Sequence, residues 1–437
     1  MKMGLNRLRS LTRPIAFASY SKDKDVGGVT TWMESLLLRL HADGIPVVLL
    51  LVYYGSVIPE EGAWSRLRSA GIPVEIEPVP LEEEVAHPRL HVRKILDFLN
   101  RHRPQIFVPN CRNILYFAAK IAGRQGLAWL FTVHSDDPLF WSVAQATQAR
   151  SAHGSYVAVS GHIGQLLREK QLDRQPCVIP YGVPLSSETT TFSDRSFHVA
   201  YTGRIVEEQK RISLVLQTMA LACREDARIE CWLIGDGPQE PESRAWVSQQ
   251  GLADRIHFVG RLDVSEVRKR VCDYQVIVLM SDYEGLGISL LEAMTCAVVP
   301  VVRGMAPVNE FVKHQETGLL VDANPEQAAA AIIRLLNDRS LWEHCSEGAR
   351  LMVANEYSED LSYQRWVELL SERCESSVVH YPLTTPMLVP IPLQYEPLLL
   401  GMKNTALAWR WRLIRVWYQR ILPVLALPKK LLRQCMH

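Results

Sequence analysis

Two carboxylates frame the segment Ser281-Asp282-Tyr283-Glu284-Gly285-Leu286-Gly287-Ile288-Ser289-Leu290-Leu291-Glu292, which follows the apolar run Val276–Met280. Glycines at 285 and 287 lead into a stretch of helical character, so free backbone N–H groups are predicted to face whatever lies above the strand end, a ready anion site. Glu284, just ahead of the helix, is placed to accept hydrogen bonds from sugar hydroxyls. Glu292, about one turn in, is placed to accept from a ribose diol. The same residues have plainer readings. Ser289-x-x-Glu292 has the spacing of a capping box, and Glu284 can simply face a helix dipole.

Cations stand at another strand end. Tyr201-Thr202-Gly203-Arg204 is followed by Lys210-Arg211. A small residue beside a rigid guanidinium fork and a mobile ammonium suits a diphosphate. Leu233-Ile234-Gly235-Asp236-Gly237-Pro238 is a third strand running into a Gly-rich turn. Its spacing is not G-x-G-x-x-G, which argues against a dinucleotide-binding fingerprint. Gly27-Gly28 occupies the first strand-to-helix turn, where phosphates commonly bind. His134, followed by Ser135, Asp136 and Asp137, ends another apolar run and is a candidate ligand or acid/base. Asp23-Lys24-Asp25 has the residue types of a cation site, but its flanking lysines read as a solvated loop, and no bound metal is expected.

These residues need elements to hold them. Short apolar runs at 15–20, 47–53, 74–76, 106–109, 129–133, 156–159 and 178–179 alternate with helical segments such as 30–42, 92–101 and 114–125. The rhythm restarts with runs at 199–202, 229–234, 256–259, 276–280, 298–302 and 319–321, then helices over 325–337, 340–355 and 358–374. Near-continuous apolar strands alternating with helices predict parallel sheets covered on both faces. The fold class is therefore α/β, with two doubly wound Rossmann-like domains facing across a cleft. The expected boundaries are 1–184 for the first domain, 185–196 for a Ser/Thr-rich linker and 197–375 for the second. A Pro-rich, then basic and aromatic tail follows at 376–437.

The 437 residues carry a formal net charge of +1, which gives no global attraction to nucleic acid. Nine cysteines without C-x-x-C spacing predict no disulfide framework and a reducing compartment. No stretch reaches the ~18–20 apolar residues of a membrane span, and the run 15–18 is too short for a secretory leader. The expected location is cytoplasmic. After Glu396 the tail has no acidic residue, and Trp409, Trp411, Trp417 and Tyr418 stand among arginines and lysines. That chemistry fits an anionic membrane surface on the inner face, or equally a tail packed on the first domain or a partner-binding segment.

In this order the segments resemble the GT-B retaining glycosyltransferases of family 4. The matching features are Gly27-Gly28, His134, Val159-Ser160, Ile179-Pro180-Tyr181-Gly182-Val183, Thr202-Gly203-Arg204, Lys210, Gly235-Asp236-Gly237-Pro238, Phe258-Val259-Gly260, the Glu-x7-Glu pair Glu284 and Glu292, and Glu310 to Gly318. The resemblance implies transfer of a hexose-type sugar from a UDP- or GDP-sugar to an envelope, lipid-linked or polysaccharide glycan, with retention and without a bound metal. The first domain would be the acceptor side and the second the donor side. It also implies that Arg204 and Lys210 neutralise the departing diphosphate, and that Gly28 brings its backbone near the donor phosphate. Glu284, Gly285, Leu286 and Gly287 would hold the sugar and phosphate, Glu292 the ribose, and Val259 with Arg261 would border the base. His134 would lie beside the reacting face of the sugar. Two features depart from the family pattern: the loop 304–310 is longer than usual, and Tyr181 stands where an Asn is common. A sugar-nucleotide epimerase of the same fold, or a non-catalytic sugar-nucleotide- or membrane-binding partner protein, remains open on the residues alone.

Overall fold

Every residue of the strand Val47–Tyr53, all seven of them, is buried. A strand covered on both faces belongs in the interior of a sheet flanked by helices. The computed structural model describes residues 2–384, apart from 22–27, 56–57, 59–61, 63, 81–83, 85–86, 112, 137–139, 142–143 and 146–152. Asp23, Asp25, Gly27, Asp137 and the tail from 385 onward lie outside the described residues.

The first sheet comprises β1 (Ile15–Ser21), β2 (Val47–Tyr53), β3 (Val74–Pro78), β4 (Ile106–Pro109), β5 (Ala128–Val133), β6 (Gly154–Ala158) and β7 (Cys177–Val178). Their order is β3-β2-β1-β4-β5-β6-β7. The second sheet comprises β8 (Phe197–Thr202), β9 (Ile229–Ile234), β10 (Ile256–Gly260), β11 (Val276–Leu279), β12 (Val299–Arg303) and β13 (Leu319–Val321), in the order β10-β9-β8-β11-β12-β13. All neighbours pair in parallel. Both sheets reverse direction between their first strand and its neighbour, β1 with β4 and β8 with β11. Crevices that take ligands open at the carboxyl ends beside such reversals, and the chemistry-bearing segments of the sequence leave the strands there.

Among the described residues the last α-helix, Glu359–Arg373, packs on the first lobe although it follows the second in sequence. Ser362 donates to the Pro180 carbonyl at 2.8 Å, Arg373 to Ser155 Oγ at 3.2 Å, and Val183 bridges to Ser358. A helical period marks a buried face but not which lobe buries it. An N-terminal helix, Lys2–Arg9, lies on the same element: Leu8 is fully buried, and Gly4 faces Ser371. The expectation of no disulfide is corrected at one pair. Cys272 and Cys296 end two neighbouring helices, Val264–Val271 and Ile288–Thr295, and are bonded, with Cα atoms 5.1 Å apart. That proximity comes from helix packing, which residue spacing does not encode.

Among the described residues, no helix is long and apolar enough to cross a membrane.

Candidate active site

Along the carboxyl rim of the second sheet, neighbouring strands deliver the expected segments side by side. β10 ends at Val259 and Arg261, β9 at Gly235, β8 at Gly203 and Arg204, and β11 at the loop carrying Glu284. The loops after β8 and β9 are locked together: Ile205 N donates to the Asp236 carbonyl at 2.8 Å, and a Cβ on Gly235 would stand 1.9 Å from the Gly203 carbonyl oxygen. Arg261 faces Asp236 at 3.9 Å. Half-buried Val259 lies just before it.

Lys210 Nζ donates to Glu284 Oε1 at 2.6 Å, with the two side chains 13 % and 8 % exposed. The residues assigned by sequence to a diphosphate and to a sugar thus hold each other, at the point where the loops after β8 and β11 meet. Arg204 donates to Gln209 at 2.6 Å, and Gln209 in turn donates to the Tyr283 carbonyl at 3.1 Å. Asp282 N donates to the Gln209 carbonyl at 2.9 Å, and Asp282 also pairs with Arg303 and, at 3.6 Å, with Arg211. Tyr201, fully buried, donates to the Arg204 carbonyl at 2.6 Å. Burial and the nearby Glu284 carboxylate raise its pKa.

The helix Ile288–Thr295 starts from Gly287, whose φ of +94° is a conformation that glycine adopts without strain. No side chain caps this N-terminus, so its first N–H groups have no such acceptor. The capping-box reading of Ser289 and Glu292 is therefore not realised, because Gly287 holds the cap position and Ser289 lies inside the helix. Glu292 instead accepts from Arg268 Nε at 3.2 Å. Burial raises its pKa against the opposing effect of Arg268. Leu286 is buried.

The two lobes touch at these residues. A Cβ on Gly285 would stand 1.8 Å from the His134 carbonyl oxygen, so only glycine permits this approach. A Cβ on Gly28 would stand 2.6 Å from Ile288 Cδ1. His134 pairs through Nε2 with Asn110 Oδ1 at 2.9 Å and through Nδ1 with the Tyr181 hydroxyl. Burial pulls its pKa down to about 3, so the ring is neutral at ordinary pH. Glu310 spans the lobes, accepting from Gly161 N at 2.9 Å and His162 N at 2.7 Å.

Asn110, Gln209 and Arg268 were not singled out by sequence. Each looks like an ordinary polar residue until its distant partner is known. Among the described residues no group of three or more His, Cys, Asp or Glu side chains could hold a metal ion.

Comparison with known proteins adds to this geometry. The family described as "Glycosyltransferase Family 4" matches residues 26–187, and the one described as "Glycosyl transferases group 1" matches residues 185–352. The chain is 32% identical over 162 residues to an alpha-D-kanosaminyltransferase of Streptomyces kanamyceticus, covering 37% of this chain and 42% of the relative. It is 31% identical over 150 residues to an N-acetyl-alpha-D-glucosaminyl L-malate synthase of Bacillus anthracis, covering 34% and 38%. The chain thus spans about two fifths of the length of these curated relatives. Among solved structures, Anabaena HepE in complex with UDP and glucose superimposes with a TM-score of 0.66 at 18% identity, over 82% of this chain and 99% of that one. Sucrose-phosphate synthase from Thermosynechococcus elongatus gives 0.68 at 19%, over 84% and 100%. These likenesses place the fold as GT-B.

Proposed function

From the chain's membership of the family 4, group 1 glycosyltransferases with the two-lobed GT-B fold, we propose that it moves a hexose-type sugar from a nucleoside-diphosphate sugar to a glycan acceptor with retention at the anomeric carbon. One observation carries the reading. Lys210, Glu284, Arg204 and the uncapped N-terminus at Gly287 converge where β8 and β11 diverge.

In this reading the bond from the anomeric carbon to the donor phosphate breaks, and a bond to the acceptor oxygen forms on the same face. The acceptor proton passes to the departing phosphate. Arg204, Lys210 and the free N–H groups after Gly287 stabilise the charge that accumulates on the diphosphate, so catalysis is positioning plus electrostatics. Glu284 holds sugar hydroxyls, and its contact with Lys210 puts the sugar and diphosphate contacts side by side, as a glycosyl phosphate requires. Glu292 takes the ribose, Gly28 approaches the donor phosphate, and Gly203, Gly235, Val259 and Arg261 border the nucleotide. His134, neutral, contributes hydrogen bonding and shape beside the sugar.

A uracil nucleotide is favoured by the solved relatives named as UDP and UDP-glucose complexes. We further place the first lobe on the acceptor side, the protein on the cytoplasmic face, and the basic aromatic tail against anionic lipid. The test is nucleoside diphosphate release from a panel of UDP- and GDP-sugars, with and without glycan acceptors. Acceptor-dependent release with an α-configured product from an α-linked donor supports the proposal. Interconversion of the donor without an acceptor identifies an epimerase and overturns it.

A further inference from the structure

We propose that Asn110 and Tyr181 hold His134 as the neutral Nε2–H tautomer, making Tyr181 a positioning residue for sugar transfer; this rests on the function proposed above. Asn110, directly after β4, is fully buried. Its Nδ2 donates to the Ala18 carbonyl at 3.2 Å and to the Val108 carbonyl at 3.3 Å. Carbonyl oxygens only accept, so the amide nitrogen must face them and Oδ1 must face the imidazole. Oδ1 also only accepts. His134 Nε2, 2.9 Å away, must therefore carry the hydrogen.

In a neutral ring this leaves Nδ1 with its lone pair, and the group facing Nδ1 is the Tyr181 hydroxyl, which can donate to it. Among the described residues no carboxylate pairs with either ring nitrogen, so a proton on Nδ1 would create an uncompensated charge in a desolvated place. The direction of the His134 pKa agrees. Tyr181 is itself held by burial as the protonated phenol that a donor must be, and nearby Tyr20 and Cys111 push the same way. The other ionisable neighbours are engaged elsewhere. Asp136 accepts from Trp141 Nε1 at 2.5 Å and faces His162 at 3.8 Å, and Glu284 is paired with Lys210.

The rings are fixed as well as the protons. The Tyr181 and His134 rings lie nearly parallel, with planes 8° and centroids 5.8 Å apart, as a hydroxyl directed at the in-plane Nδ1 lone pair requires. Trp32 meets His134 edge-on at 5.4 Å and Tyr181 at 5.6 Å. The backbone of His134 is the surface that Gly285 approaches. A ring pinned by Tyr181 thus fixes the carbonyl against which the sugar-holding loop rests, and a neutral ring keeps cationic charge away from the anomeric carbon as positive charge develops there. Where the family often has Asn, this chain uses a phenol whose hydroxyl faces the ring nitrogen.

Nitrogen NMR of histidine-labelled full-length protein reads the tautomer without any need for activity. The expected pattern is a pyrrole-type Nε2 and a pyridine-type Nδ1 for His134, unchanged from pH 8 to pH 5. Tyr181→Phe keeps the ring and removes only the hydroxyl. It is expected to shift the His134 Nδ1 resonance toward that of a nitrogen without a donor, and to lower kcat about tenfold with donor KM changed less than threefold, while burial still keeps the ring neutral from pH 8 to pH 5. The opposite tautomer, an imidazolium at pH 7, or a Tyr181→Phe variant whose His134 Nδ1 resonance and kcat both match wild type overturns the proposal. The expected NMR pattern in a protein that transfers no sugar would sink the proposed function instead, so the two failures are distinguishable.

Discussion

Lys210→Met removes one partner of an ion pair whose N–O distance is 2.6 Å and whose side chains are 13 % and 8 % exposed. Breaking a buried pair by deleting one member costs ~3–5 kcal/mol, because the other charge is left desolvated. Since a little water reaches Lys210, the low end, ~3 kcal/mol, is expected here. For a lobe of ordinary size each kcal/mol moves the midpoint by about 2–4 °C, so the variant should melt ~6–12 °C below wild type. Adding Glu284→Gln replaces the stranded charge by a neutral amide and should return all but ~1 kcal/mol of that loss. Transfer behaves differently. Lys210→Met alone should lose ~1.5–3 kcal/mol of transition-state stabilisation, roughly one to two decades in rate. The double variant should be slower still, because the residue proposed to hold the sugar is then altered too. Thermal or urea melts of the full chain, alongside donor turnover at a temperature where every variant is folded, separate the two effects. If Lys210→Met melts within about 2 °C of wild type, the buried-pair reasoning fails. If the stable double variant regains transfer, the functional assignment of both residues fails.

Glu292→Gln tests the burial of Glu292 and the ribose contact proposed for it. Its folded pKa is raised by desolvation, so its contribution to stability is full below the unfolded value near 4.5 and is lost as pH rises through the folded value. The variant should therefore melt above wild type at pH 7, the difference should vanish on acidification below pH 4.5, and nucleotide affinity should weaken about tenfold; a wild type more stable at pH 7 refutes this. Gly285→Ala places a methyl 1.8 Å from the His134 carbonyl oxygen, and because backbone cannot swing aside, the lobes or the loop must move. A displacement of ~1 Å suffices for about a hundredfold loss of transfer, measured at a temperature where the variant is folded; activity within twofold of wild type would show that the contact is not required.

Much of the fold was legible because its strands are buried on both faces. Val47–Tyr53 and Val276–Met280 are apolar throughout, and the glycines and charges that interrupt such runs mark their carboxyl ends. The segments of the candidate site were legible one at a time. Which segments meet was not: Lys210 and Glu284 lie on different crossover units, and Asn110, His134 and Tyr181 come from three. Local pattern also failed where backbone geometry decides. Asp263-x-x-Glu266 forms a true capping box, whereas Ser289-x-x-Glu292, with matching spacing, does not, because Gly287 in the left-handed region, and not Ser289, holds the N-cap position of that helix. The Cys272–Cys296 bond and the docking of Glu359–Arg373 on the first lobe depend likewise on packing between elements.

The grip of Glu310 on the start of the helix Gly161–Glu169 bears on how such chains can be recombined. The two family matches meet at residues 185–187, which invites a splice there between relatives of different specificity. A hybrid joined at that seam would inherit a first half whose Gly161 and His162 amides await a carboxylate encoded about 150 residues further on, and a final helix shaped for another partner's Pro180 and Ser155. The two halves are therefore one unit of inheritance: a productive graft must carry residue 310 and the closing helix together with the half they fasten.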